Sequence, residues 1–143
     1  MATSQWLAWA ALSAVFAALT AIFAKVGLAG VDSDFATLLR TFVIVALLAL
    51  FVAVTGKWRD PASLSWSTLG FLFASALATG ASWVCYFRAL KAGPASNVAA
   101  VDKLSVLLVA VFAVVFLGER LGLREWIGVA LVGLGVVVIA FKP

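Results

Sequence analysis

Residues Asn97 to Arg120 read NVAAVDKLSVLLVAVFAVVFLGER, an apolar run with Asp102 and Lys103 side by side inside it. A hydrocarbon core of ~30 Å needs roughly 20 helical residues, and this run supplies them. It is therefore a membrane span that carries two opposite charges. A charge near the centre of a span costs ~2.5 to 3.5 kcal/mol on insertion scales, so the pair calls for a partner, a proton or a wet cavity.

The rest of the chain repeats the apolar pattern without the charges. With 143 residues, 66% of them hydrophobic, and a mean hydropathy of +1.21, there is too little polar surface to coat a water-soluble domain. Five candidate spans cover about Trp6 to Leu28, Phe35 to Thr55, Trp66 to Leu90, Ala95 to Leu117 and Glu125 to Phe141. Stop signals separate them: Gly27 and Gly30 before Asp32, Gly56, Gly93-Pro94, and Gly118 with Gly122. Trp6, Trp9, Trp58, Trp66 and Trp126 fall near span ends, where indole favours the headgroup region. The expected fold is an all-α integral membrane bundle of five transmembrane helices, with residues 1–143 forming a single domain.

Composition also excludes. The chain has no His and a single Cys85, so there is no internal disulfide, no usual proton shuttle and little for metal or hydrolytic chemistry. An enzyme is not expected, nor a metal or other cofactor. The formal charge of +4 comes from cations set singly at span ends rather than in one patch, which points to membrane lipids and away from nucleic acid.

An odd number of spans puts the termini on opposite sides of the membrane. Lys57, Arg59, Arg120 and Arg124 then lie on the N-terminal side, and Lys25, Arg88, Lys91 and Lys142 on the other. Orientation follows the Lys and Arg bias between loops, and a near tie makes dual topology an expectation.

Small residues mark close helix contacts. Ala11, Ala14, Ala18 and Ala21 form a stripe on the first span, Gly70, Ala74 and Ala81 lie on one side of the third, and Gly128 and Gly135, with Gly133 nearby, mark the last. The first two stripes suit packing inside one bundle, and the glycines of the last suit a dimer interface.

On the wheel of the fourth span, Asp102 shares a face with Ala95, Ala99, Ser105, Val109 and Ala113, while Lys103 faces Ala99, Ala100 and Ala110. Bulky Val101, Leu104, Leu108, Val111, Phe112 and Val115 occupy the opposite side. Asp102 lies roughly 12 Å into the membrane by helical rise, too deep for its short side chain to snorkel. Neighbouring residues on a helix diverge, so its expected partners are Arg40 of the second span or Lys103 of a second subunit. Two readings stay open: a buried ion pair that sets helix packing, or a transport site. Lys25 and Arg88 near span ends read as anchors. If the charges line a cavity, Lys25, Arg40 and Lys103 outnumber Asp102, which suits an anionic or zwitterionic metabolite.

The segment ALKAGPASNVAAVDKLSVLLVAVFAVVFLGERLGLREWIGVALVGLGVVVI, Ala89 to Ile139, resembles the end of an EamA domain of the drug/metabolite transporter superfamily. Its marks are Gly93-Pro94-Ala95-Ser96, Gly118-Glu119-Arg120 and the last glycines, with Arg40 where such domains often carry a basic residue. Many EamA domains have a Pro near Asp102-Lys103-Leu104-Ser105, which this chain lacks. It also lacks the intramembrane Glu that the distantly related small multidrug-resistance proteins carry in their first helix.

The resemblance implies one five-helix EamA repeat, where the commoner relatives carry two inverted units in tandem. Inverted repeats build a midplane site with alternating access, so two copies of this chain are expected to complete the arrangement as an antiparallel homodimer. It further implies a secondary transporter, with export of small metabolites the best fit, in the bacterial inner membrane. Asp102, Lys103, Arg40, Lys25 and Ser105 are the candidate substrate or proton-binding residues, and Gly128, Gly133 and Gly135 the candidate interface. The alternative is a non-transporting membrane subunit that stabilises or regulates a partner membrane protein.

Overall fold

The computed structural model describes residues 2–140, with side chains from residue 5 onward. Phe141 and Lys142, expected at the end of the last span, lie outside the described residues. Helices α1 (Ala2–Gly27), α2 (Ser33–Val54), α3 (Trp66–Ala92), α4 (Ala95–Asp102), α5 (Ser105–Leu117) and α6 (Leu123–Ala140) follow one another, with a short 3₁₀ turn at Pro61–Ser63. There is no strand among the described residues. Because α4 and α5 together make one span, five stretches are long and apolar enough to cross a membrane. The expected fourth span is present, but as two helices rather than one.

Local chemistry sets the ends. Asp32 caps α2, its Oδ1 accepting from the N–H groups of Asp34 at 2.9 Å and Phe35 at 3.0 Å. At the other end of α2, Gly56 takes φ +64° and Lys57 N–H returns to Val52 O at 3.0 Å. The same closure ends α5, where Gly118 has φ +68° and Glu119 N–H reaches Ala113 O at 3.1 Å. Both sites need a left-handed residue, which glycine supplies without a Cβ clash. Thus the Glu119 main chain, rather than its side chain, braces that end. Ahead of α6, Gly122 N–H donates to the Glu125 carboxylate, the return half of a capping box.

The chain divides into two compact units. One holds most of α1 with α4, α5 and α6, and the other runs from Ala24 to Lys91. In the first, α6 packs on α4 and α5, with Ala110, Ala113, Gly133 and Val136 buried. The helices meet closely because the interface side chains are small. A Cβ on Gly133 would stand 2.8 Å from Leu107 Cδ2, whereas Gly128 and Gly135 have nothing within 4 Å. In the second unit, Leu28, Ser33, Thr37, Phe87 and Leu90 are buried. Of the alanine stripe on α1, only Ala21 is buried.

Elsewhere the spans are exposed: no more than 11% of any span is buried inside the chain. Apolar helices this bare need lipid or protein around them. The fold is that of a multi-pass membrane protein.

Candidate functional site

Within the unit from Ala24 to Lys91, cations tie helix ends together. The Arg88 guanidinium grips the Asp34 carboxylate through two bonds, Nε to Oδ1 at 2.9 Å and Nη2 to Oδ2 at 2.6 Å. This planar fork fixes direction as well as distance. Lys91 Nζ donates to Val31 O at 2.8 Å, and Lys25 Nζ to Leu90 O at 2.6 Å. Each lysine thus satisfies a main-chain carbonyl that a helix end or turn leaves over. Lys25 and Arg88, expected as lipid anchors, are fasteners between helices.

Arg40, more than a turn into α2, behaves differently. Its Cζ lies 4.5 Å from the centre of the Trp83 ring and 4.9 Å from that of Phe87, two residues one helical turn apart on α3. Ring faces carry negative potential and attract a guanidinium, by ~0.5 to 2 kcal/mol depending on hydration. Within its own unit, aromatic rings flank Arg40. Beside it α2 and α3 frame an open groove of about 630 Å³, lined by Asp34, Thr37, Thr41, Ser75, Thr79 and Trp83 among others. The threonine hydroxyls bond back to their own helices, Thr37 to Ser33 O and Thr41 to Thr37 O at 2.7 Å, and Thr79 to Ser75 O at 2.9 Å.

The second charged place is the break between α4 and α5. Lys103, Leu104, Val106 and Leu107 each donate to the carbonyl three residues back, at 3.0 Å, so the chain tightens to a 3₁₀ turn before α5 resumes at Ser105. Such a stretch inside a longer helix often marks a hinge. No proline is involved, although a proline is what the family pattern would place near here.

Lys103 Nζ lies 3.3 Å from Asp102 Oδ2, contrary to the expectation that adjacent charges turn to separate partners. The Cβ atoms do diverge, but the four-carbon lysine stem spans the gap. The pair remains open, with 40% of the Asp102 side chain and 54% of that of Lys103 exposed. Ser105, the first residue of α5, is exposed too.

Five residues named from sequence therefore divide between two settings. Asp102, Lys103 and Ser105 cluster at the helix break, while Lys25 and Arg40 belong to the α2–α3 unit with Asp34, Arg88, Trp83 and Phe87. The last three were not foreseen as partners. The i,i+4 spacing of Trp83 and Phe87 was the available signal, since it puts both rings on one face of α3.

The EamA-like transporter family matches residues 4–141. The chain is also 55% identical over 138 residues to a Sinorhizobium sp protein named as an uncharacterized transporter in the cobO 3' region, a match covering 96% of this chain and 98% of that one. No solved structure matches. A five-span helical fold, charges retained inside apolar segments and these two likenesses agree with transport rather than enzymatic chemistry. The chain belongs to the EamA-like transporter family and is a multi-pass membrane transporter.

Proposed function

We propose that this protein carries small polar metabolites across the bacterial inner membrane by alternating access, working as an antiparallel homodimer and in the export direction. One observation carries the reading: the Asp102–Lys103 pair is exposed at a 3₁₀ break within an apolar span. Lipid is a poor neighbour for two open charges and for a tightened backbone ladder. A second copy or a water-filled cavity between copies is a good one. The Sinorhizobium relative is matched over 98% of its length, so a single five-span unit suffices for a protein bearing the name transporter.

In this mechanism two inverted copies enclose a central site, and the boundary between the copies rocks about it. Asp102 is the proton-binding residue of this proposal. As a carboxylate it pairs with Lys103; on taking a proton it releases that ammonium, which is then free to meet negative charge on a substrate. The 3₁₀ turn places a flexible joint beside the charge that changes. Ser105 offers a hydroxyl next to the joint. Gly128 and Gly135, whose faces are open, supply the contact between the last helices of the two copies. Gly133 serves instead the contact between α6 and Leu107 of its own chain.

Cysteine labels at the two termini test the assembly. Labelling of each terminus from both faces of sealed vesicles, together with α6-to-α6 cross-links through position 128 or 135, is the expected result. One-sided labelling removes the antiparallel dimer, and a purified monomer that binds and moves no solute favours the non-transporting subunit.

A further inference from the structure

We propose that the α2–α3 groove beside Arg40 binds the carboxylate of a small organic acid, with the Arg40 guanidinium as its charged partner. The inference deepens the carrier reading and rests on it, because it names the class of solute that the path accepts.

Four cations belong to the unit from Ala24 to Lys91 within its helices: Lys25, Arg40, Arg88 and Lys91. Three of them already donate to oxygen: Lys25 to Leu90 O, Arg88 to Asp34 and Lys91 to Val31 O. Arg40 has no hydrogen bond or ion pair to oxygen among the described residues; the rings of Trp83 and Phe87 lie against it, and Tyr86 is near enough to interact with its charge. Rings hold a guanidinium by its plane and leave the N–H edge free. That edge is a fixed fork of donors matched to a carboxylate.

Arg40 is not itself a lining residue; Trp83 joins it to the groove, since that ring both packs on Arg40 and lines the cleft. Thr37 and Thr41, which flank Arg40 on α2, line it as well. The groove is about 630 Å³, ample for an acid of benzoate size. The hydroxyl of Ser75, also a lining residue, has no partner among the described residues.

Asp34 lines the same groove, and its charge must be reckoned with. Arg88 holds both of its oxygens at 2.6 to 2.9 Å, and Asp34 lies six positions, roughly 9 Å of helical rise, from Arg40. Asp34 at −1, Arg88 at +1 and Arg40 at +1 leave a net +1. A cationic solute would find the single carboxylate already bound and both rings covered by Arg40. A neutral one would leave the guanidinium donors unused.

The test uses the full chain in lipid nanodiscs and calorimetric titration with benzoate and hexanoate, and with benzamide and benzylamine as neutral and cationic counterparts. The acids are expected to bind at least tenfold more tightly than the amide or the amine. Arg40→Gln should weaken benzoate binding tenfold or more, and Arg40→Lys, which keeps the charge but not the planar fork, should fall between. Failure of the wild type to bind either acid, equal binding of benzamide, or preference for benzylamine overturns the proposal without relying on any variant. Unchanged benzoate affinity in a folded Arg40→Gln protein does so too.

Uptake of labelled benzoate into proteoliposomes separates this inference from the carrier reading. Arg40-dependent binding without flux leaves the site standing and counts against transport. Flux that Arg40→Gln leaves unchanged removes the site and leaves the carrier.

Discussion

Arg40 aside, the two units of the chain treat charge in opposite ways. Between Ala24 and Lys91, Arg88, Lys25 and Lys91 are spent on fastening, each closing a carboxylate or an orphan carbonyl of the same unit. In the α4–α6 unit fastening is done by small residues: Ala110, Ala113, Gly133 and Val136 are buried, while the charged Asp102 and Lys103 stay in the open. Where charges serve architecture, they are satisfied in place. Where packing is apolar and the charges are left accessible at a flexible turn, they are available to something else. The contrast assigns stability to one pair, Asp34–Arg88, and chemistry to the other.

Proline substitution gives the largest expected effect. Val109→Pro removes an intrahelical bond from a regular part of α5 and should cost about 3 kcal/mol or more. Ser105→Pro enters at the first helical position, where proline is tolerated, and should cost far less. Thermal melts of the two purified variants give the comparison, and equal losses would mean that the span is continuous at Lys103–Leu104.

Gly133→Leu tests the apolar fastening. The position already lacks room for a Cβ beside Leu107, so overpacking should cost about 1 to 3 kcal/mol. Gly133→Ala should cost less, because the obstacle is the movable end of a leucine side chain. Gly128→Ala, on an open face, should leave the monomer's stability unchanged and act only on dimer yield, read by cross-linking.

Asp102→Asn is expected to lower proton-driven transport tenfold or more, about 1.4 kcal/mol in barrier, with little change in melting temperature. A variant that melts early and transports normally would make the pair architectural after all. Last comes Asp32→Ala, which removes the cap of α2 at a cost of about 1 kcal/mol. It should reduce stability alone, by a shift in the thermal melt.

Much of the fold was legible because hydropathy acts over long windows. The spans from Trp66 and Ala95 start where glycine, proline and tryptophan punctuate the chain, and most other ends lie within a few residues of the expected ones. The break after Asp102 was not legible, because neither proline nor glycine occupies Lys103–Ser105 to announce it. A sequence wheel assumes an uninterrupted helix, and that assumption sent Asp102 and Lys103 to different partners. Likewise Arg40 was recognisable as an intramembrane cation, but its frame of rings was not. Asp34 and Arg88 are 54 positions apart, and no local pattern joins them.

By itself the sequence determined that five segments cross a membrane, where they begin and end, and which few charges are carried inside, since burial of apolar side chains and backbone hydrogen bonds in lipid depend on composition and length. What each charge meets was set by how the helices pack. That depends on the rotation of α2 against α3, settled by contacts between residues far apart in the chain, and on a local change of helical pitch at Lys103, where the main chain bonds three residues back with no proline or glycine to announce it.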